Sequence, residues 1–336
     1  MRKAVLIINL GTPDDPGKKS VRKYLGEFLN DPFVIDLPWL WRKILVNLII
    51  IPFRVKKSAG LYQRLWTGEG SPILNYLEQL KHKLQQEFGE ERTVYAAMRY
   101  GNPAIKTVLK DIDKAGYDEL LVLPLFPQYA SSTTGSIIHG VQKHKKMMQN
   151  VKNIHFITQF YDDAGFIDAF CQRMIPYQPE TFDHIIFSCH SLPIRHIEKT
   201  HPEQACNECV CEQSMPEHGA LCYKATSYET AILIAAKLNI TPDNYTVAFQ
   251  SRFAKNWIGP FTEDIVLQLA QSGKSRILVV APSFVADCLE TIVEIEQDYL
   301  ELFRKHGGKE LVMVQSLNAE DYWVKAVASM IKRGMI

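Results

Sequence analysis

The chain opens MRKAVLIINLGTP, residues 1–13, and two readings of that stretch lead to different proteins. A basic start followed by an apolar run has the outline of a secretory leader. The run is short, however, and it ends in NLGTP (9–13), a strand-end turn rather than a small-residue cleavage site. KAVLIIN (3–9) is therefore read as a first β-strand, and the protein is expected in the cytoplasm. A strand with almost no polar residues is apolar on both faces, which suits a parallel sheet covered by helices on both sides.

The rest of the chain repeats the pattern. Strand-like runs fall at 93–99, 119–126, 153–158, 184–189, 245–250, 276–281 and 311–315. Helical periodicity occupies 18–29, 72–88, 103–115, 134–148, 163–175, 224–238, 261–272, 288–306 and 319–333. Alternating strands and amphipathic helices predict an α/β protein of two doubly wound domains, each with a four-stranded parallel sheet. A ligand cleft is expected between the domains, at the carboxyl ends of the strands. The first domain is placed at 1–152, joined by the C-terminal helix 319–336, and the second at 153–318.

Composition narrows the function classes. The 336 residues are 46% hydrophobic and 22% charged, with a net charge of +1, so no electrostatic footprint for nucleic acid is present. Neither G-x-G-x-x-G nor G-x-x-x-x-G-K-[ST] occurs, which removes both phosphate-cradling fingerprints. Seven cysteines are an odd number for a disulfide framework, and the cytosol disfavours one. The segment 37–53, LPWLWRKILVNLIIIPF, is apolar over about half the roughly 20 residues a bilayer span needs. Trp39 and Trp41 at one end and flanking Arg42, Lys43, Arg54, Lys56 and Lys57 suit a helix lying in a membrane interface; the alternative is a buried core helix.

Chemistry is sought in the loops after the strands. His190 ends the strand HIIFSC and opens SLP. A strand-end histidine is more often structural, but it is also the side chain best suited to proton transfer near neutrality. Glu290, Glu294 and Asp298 recur every four residues, which aligns them along one helix face. Such a row is ordinarily a solvated acidic surface. Its position right after a strand favours a path for a hydrated divalent cation held by oxygen ligands. SSTTGS (131–136) reads as a helix N-cap, and Cys189, before the histidine, as a packing thiol.

The segment CNECVCEQSMPEHGALC (206–222) places Cys206, Cys209, Cys211 and Cys222 in the spacing C-x2-C-x-C-x10-C. Zinc sites usually pair two C-x2-C knuckles. Three ligands crowded into one short loop are better suited to a [2Fe–2S] cluster, with zinc as the alternative and His218 as a substitute ligand.

Taken in order, INLGTP, RYG, PLFPQYASSTTGS, FSCHSLP, FQSR followed by Trp257, and DCLETIVEIE resemble ferrochelatase, and the resemblance covers nearly the whole chain. It implies a chelatase-like pair of Rossmann-like domains and an enzyme of the lyase class that inserts Fe²⁺ into protoporphyrin IX in heme biosynthesis. His190 matches the family histidine that takes a pyrrole proton or ligates iron, and Glu290 the glutamate facing it. Glu294 and Asp298 match an outer metal or proton path. Leu10, Arg99, Tyr100, Phe126, Tyr129 and Trp257 match porphyrin-pocket positions. The apolar 37–53 becomes a pocket lip able to dip into a membrane. The expected partners are thus a porphyrin, ferrous iron and a peripheral membrane contact.

Two features depart from the family pattern. Cys288 stands where a proton-passing histidine is usual, which moves proton exit to Asp287, Glu290 and Glu294. The cysteine-rich insert 200–223 is similar to the internal four-cysteine cluster motif of a smaller set of bacterial ferrochelatases, with a structural or sensing role. Alternatives are a coproporphyrin III ferrochelatase, another tetrapyrrole chelatase, or a non-catalytic porphyrin carrier.

Overall fold

The computed structural model describes residues 2–334. They form eight strands in two four-stranded sheets, parallel throughout, as the apolar runs predict. In the first unit β1 (Lys3–Thr12) is followed by α1 (Lys18–Leu29), α2 (Trp39–Ile44), a π-helical stretch Leu45–Ile50, α3 (Ile51–Leu65) and α4 (Pro72–Phe88). Next come β2 (Arg92–Gly101), α5 (Ile105–Ala115), β3 (Glu119–Pro124), α6 (Ser136–Lys145) and β4 (Asn153–Phe156), and the sheet order is β2-β1-β3-β4.

Ala4 through Ile8 are fully buried without alternation, because helices cover both faces of β1. Helix α4 shows how the sequence sets such a cover. Pro72 occupies its first turn, where the missing N–H costs no hydrogen bond. Ile73, Leu77, Leu80, Leu84 and Phe88 form its buried stripe, and Gly89 (φ +54°) ends it. Two glycines hold β1 and β2 together at their carboxyl ends. A Cβ on Gly11 (φ +130°) would lie 1.9 Å from the Tyr100 carbonyl oxygen, and one on Gly101 (φ +82°) 2.4 Å from that of Thr12. No side chain fits at either position.

The second unit contains α7 (Ala164–Met174), β5 (His184–His190), α8 (Ile194–Glu198), α9 (Tyr223–Lys237), β6 (Tyr245–Gln250) and α10 (Thr262–Gln271). It continues with β7 (Arg276–Val280), a π-helix Leu289–Tyr299, α11 (Leu300–Lys305) and β8 (Glu310–Val314), in the order β6-β5-β7-β8. Ile277 to Val280 are fully buried. The Asp163 carboxylate caps α7, accepting the Gly165 and Phe166 amides at 3.0 and 3.2 Å. Helix α12 (Asp321–Arg333) closes the described chain; the last two residues of the expected helix 319–336 lie outside the described residues. By contacts the first unit comprises residues up to 126, 131–159 and those from 324, and the second 127–130 and 160–323. Strand β4 pairs with β3, which carries the first unit past the 152/153 division expected from the sequence.

Two helices differ from their expected form. The segment expected as one helix over 288–306 is π-helical from Leu289 to Tyr299. Segment 37–53 is neither buried nor one uniform helix. Val46 and Ile51 are buried, but Trp39, Leu40, Trp41, Leu48, Ile49 and Phe53 point outward, Phe53 at 82% exposure. Among the described residues no helix is long and apolar enough to cross a membrane.

Candidate active site

The second sheet reverses direction of winding at β5, which has β6 on one side and β7 on the other. Open α/β sheets bind ligands at such a switch point, outside the carboxyl ends of the strands. Pairing with β7 stops at Phe187↔Val280, whereas pairing with β6 continues to His190↔Gln250. His190 therefore overhangs the end of β7.

Its surroundings fix the ring. Ser191 N donates to Gln250 O at 2.8 Å and Ser191 Oγ to Ile258 O at 2.7 Å. His190 Nδ1 lies 2.5 Å from the Ser191 carbonyl oxygen, an acceptor, so Nδ1 carries the hydrogen in the neutral ring. Nε2 then keeps its lone pair for a proton or a metal. Trp257 and Phe284 lie on the ring's flanks, each with its centroid 6.3 Å away. Trp257 is set there by the bridge Pro193↔Trp257 and by Ile258 N donating to Leu192 O at 2.9 Å. Cys189 is fully buried against Ser227 and Ser283, and burial pushes its thiol up to about 12. It packs, as expected.

The carboxylates come from the π-helix. Cys288 is its N-cap: its sulfur accepts the Thr291 N–H, and its own N–H donates to Thr291 Oγ1 at 3.0 Å. Burial, with the Glu290 carboxylate nearby, holds the thiol well above the usual thiol range. Cys288 thus starts the helix. Gln250 Nε2 donates to Glu290 O at 3.0 Å, tying this helix to β6.

Glu294 is the most enclosed of the three acids. Ser251 donates both its N–H (2.8 Å) and its hydroxyl, and Tyr299 OH donates at 2.6 Å. Ser251 takes φ +61° to do so. Burial nevertheless raises the Glu294 pKa above 4.5; the Ser251 and Tyr299 bonds oppose the shift, Glu290 adds to it and His190 opposes it. A carboxyl raised in the native state binds protons more readily there than in the unfolded chain. Its contribution to stability is therefore lost as pH rises from about 4.5 through the raised value. The Glu294→Gln variant lacks that slope. Its urea midpoint is expected to gain on wild type from pH 4.5 up to the raised value and to level off above it, and a pH-independent difference would contradict the assignment. Asp298 lies eight residues beyond Glu290 in sequence and is half-buried.

The expected porphyrin residues divide between the units. Leu10, Arg99, Tyr100 and Phe126 belong to the first, and Tyr129 and Trp257 to the second. Tyr100 is only 2% exposed. Its hydroxyl donates to Asp31 Oδ2 at 2.8 Å, where Arg99 Nη2 and Ser136 Oγ (2.6 Å) also donate. Asp31, buried and absent from the sequence-based candidates, holds this group together. Arg99, Tyr100 and Asp31 line a cavity of about 600 Å³ with Lys23, Lys43 and Lys143.

The cysteine-rich insert is largely irregular between α8 and α9. Its cysteines form no disulfide, and Cys206, Cys211 and Cys222 are buried. Two of the thiols meet histidines. His201 Nε2 lies 3.2 Å from Cys222 Sγ, and His218 Nε2 lies 3.5 Å from Cys209 Sγ. The two imidazoles are 4.8 Å apart. Among the described residues no three His, Cys, Asp or Glu side chains make up a ready metal-binding group. The donor chemistry, four thiols in one loop, suits a soft metal or cluster. His201 was not among the sequence-based candidates, because the loop that folds it onto Cys222 leaves no periodic signal.

A model of the ferrochelatase family matches residues 2–335. The chain belongs to the ferrochelatase family. It is 42% identical to the ferrochelatase of Coxiella burnetii (strain CbuG_Q212) over 98% of this chain and 93% of that one. It is 40% identical to the ferrochelatase of Legionella pneumophila (strain Lens), over 98% of this chain and 99% of that one. Among solved structures, the sirohydrochlorin chelatase SirB from Bacillus subtilis subspecies spizizenii in complex with cobalt superposes with TM-score 0.55 at 12% identity, covering 99% and 95% of the two chains. CbiX, described as the terminal enzyme for siroheme biosynthesis in denitrifying bacteria, gives 0.50 at 12% identity, covering 99% and 100%. At that identity these two establish the fold alone. In this ferrochelatase-family chain, His190 and the π-helix carboxylates stand at the carboxyl end of the second sheet.

Proposed function

We propose that this chain inserts Fe²⁺ into protoporphyrin IX to give protoheme, with His190 as the proton acceptor and Glu290 as its partner in handling metal. The observation that carries the reading is His190 with Nδ1 pinned to a backbone carbonyl and Nε2 left as a lone pair, close to the π-helix that carries Glu290 and Glu294. Insertion forms iron–nitrogen bonds and releases two pyrrole protons. A neutral imidazole takes a proton, and an anionic carboxylate helps strip water from the cation. Glu294 and Asp298 extend the acidic path. Leu10, Arg99, Tyr100, Phe126, Tyr129 and Trp257 are assigned to the porphyrin, and the lysines near Arg99 suit its carboxylates. Anaerobic incubation with Fe²⁺ and either protoporphyrin IX or coproporphyrin III tests this. Protoporphyrin is expected to be consumed faster, and consumption of neither would overturn the reading.

The insert is assigned a [2Fe–2S] cluster held by Cys206, Cys209, Cys211 and Cys222, with zinc as the alternative. Such a cluster, once bound, cross-links the loop. The residues' own contribution is a sheltered, soft donor set beside α9. The outward face of 37–53 is assigned to a lipid surface, since exposed tryptophans beside basic residues suit a membrane interface. Vesicles containing anionic phospholipid should retain wild type at least about tenfold better than a Trp39→Ser/Trp41→Ser/Phe53→Ser variant, since even one large apolar side chain buried is worth ~1.5 kcal/mol, roughly tenfold in binding. Equal retention would remove the membrane contact.

A further inference from the structure

The row of carboxylates depends on how the π-helix begins, and that start is held from outside the helix. Asp287, one residue before the N-cap, is buried at 5% exposure. Its Oδ1 accepts Thr291 Oγ1 at 3.1 Å and the Ser316 amide at 3.0 Å, and its Oδ2 accepts Asn318 Nδ2 at 2.8 Å. Asn318 also works in the other direction. Its Oδ1 accepts the Asp287 N–H at 2.8 Å, and its own N–H donates to Val285 O at 2.8 Å. One side-chain amide thus grips Asp287 by main chain and side chain together.

The position is selective. Asn318 is buried and takes φ +51°, a conformation that asparagine, aspartate and glycine tolerate best. Of those three, only asparagine supplies both the N–H donor and the C=O acceptor that Asp287 requires. We propose that Asn318 is a positioning residue for iron insertion: by clamping Asp287 it fixes the first turn of the π-helix and so the placement of the Glu290 and Glu294 carboxylates. Asp287, enclosed by these donors, is an anchor in this arrangement. The inference rests on the metal-handling role proposed for those two glutamates.

Asn318→Gly keeps the backbone conformation and removes the clamp. It is expected to lower kcat about ten- to a hundredfold, the scale of a displacement near 1 Å. KM for Fe²⁺ should rise, while porphyrin affinity, read by fluorescence, stays unchanged. Amide exchange over 289–299 should quicken in the otherwise folded protein. Asn318→Asp sets two carboxylates face to face and should be worse. Adding Asp287→Asn to it restores one donor facing one acceptor and should recover most of the loss. A kcat and iron KM within twofold of wild type in Asn318→Gly would overturn the proposal, as would an exchanged pair no better than Asn318→Asp alone. Glu290→Gln separates the two claims: if it leaves kcat and iron KM unchanged, the glutamates' role fails, whereas unaltered exchange over 289–299 in Asn318→Gly removes the clamp itself.

Discussion

His190→Ala is expected to reduce kcat by ~10³-fold, within the range that removal of a positioned general acid–base group produces. The ring is held by the Ser191 carbonyl through Nδ1 and flanked by Trp257 and Phe284, so its orientation is set before any substrate arrives. Glu294 is enclosed by Ser251 and Tyr299, and Glu290 lies beside the Cys288 thiol. Neither replaces a neutral imidazole at that place. The loss should appear in kcat, with porphyrin affinity nearly retained, because the apolar walls remain. His190 is half-buried at a strand end, so the urea midpoint should move little. An alanine variant within threefold of wild-type kcat in anaerobic Fe²⁺ assays would remove His190 from the chemistry.

The second large effect is expected at the insert. Cys206→Ser should abolish visible absorbance, bring iron and sulfide content near zero, and lower the yield of folded protein. Residues 199–218 contain no helix or strand, and a loop of that length has little hydrogen-bonded structure of its own to resist unfolding. Ligand binding in such a segment acts as folding free energy. Cys206 and Cys211 are buried at 4% and 1% exposure, so a hydroxyl at 206 would also sit out of contact with solvent. A stable, colourless and fully active variant would show that the insert's ligands do nothing for the fold.

The eight strands and the two-sheet α/β class were legible because unbroken apolar runs such as Ala4–Ile8 and Ile277–Val280 admit few other uses. His190 stood out as a candidate because it ends such a run, and Glu290 and Glu294 because they follow one in a four-residue row. The partners of these residues were not legible. Ser251 and Asn318 act through left-handed backbone conformations, and Asp31 gathers donors from residues 99, 100 and 136. None of these leaves a periodic trace. The α-helical reading of 288–306 failed for a related reason: side-chain periodicity near four residues does not distinguish a π-helix from an α-helix over so short a span.

Sequence alone therefore determined the layers and the family, since those depend on local apolar pattern and on residue type. Only the tertiary structure decided that Cys288 caps a π-helix, that Glu294 is enclosed by Ser251 and Tyr299, and that His201 reaches Cys222. It likewise decided that the aromatic face of 37–53 is exposed. Each of these is a contact between segments distant in sequence or a choice of backbone conformation, and hydrogen-bond geometry of that kind is settled only when the whole chain has packed.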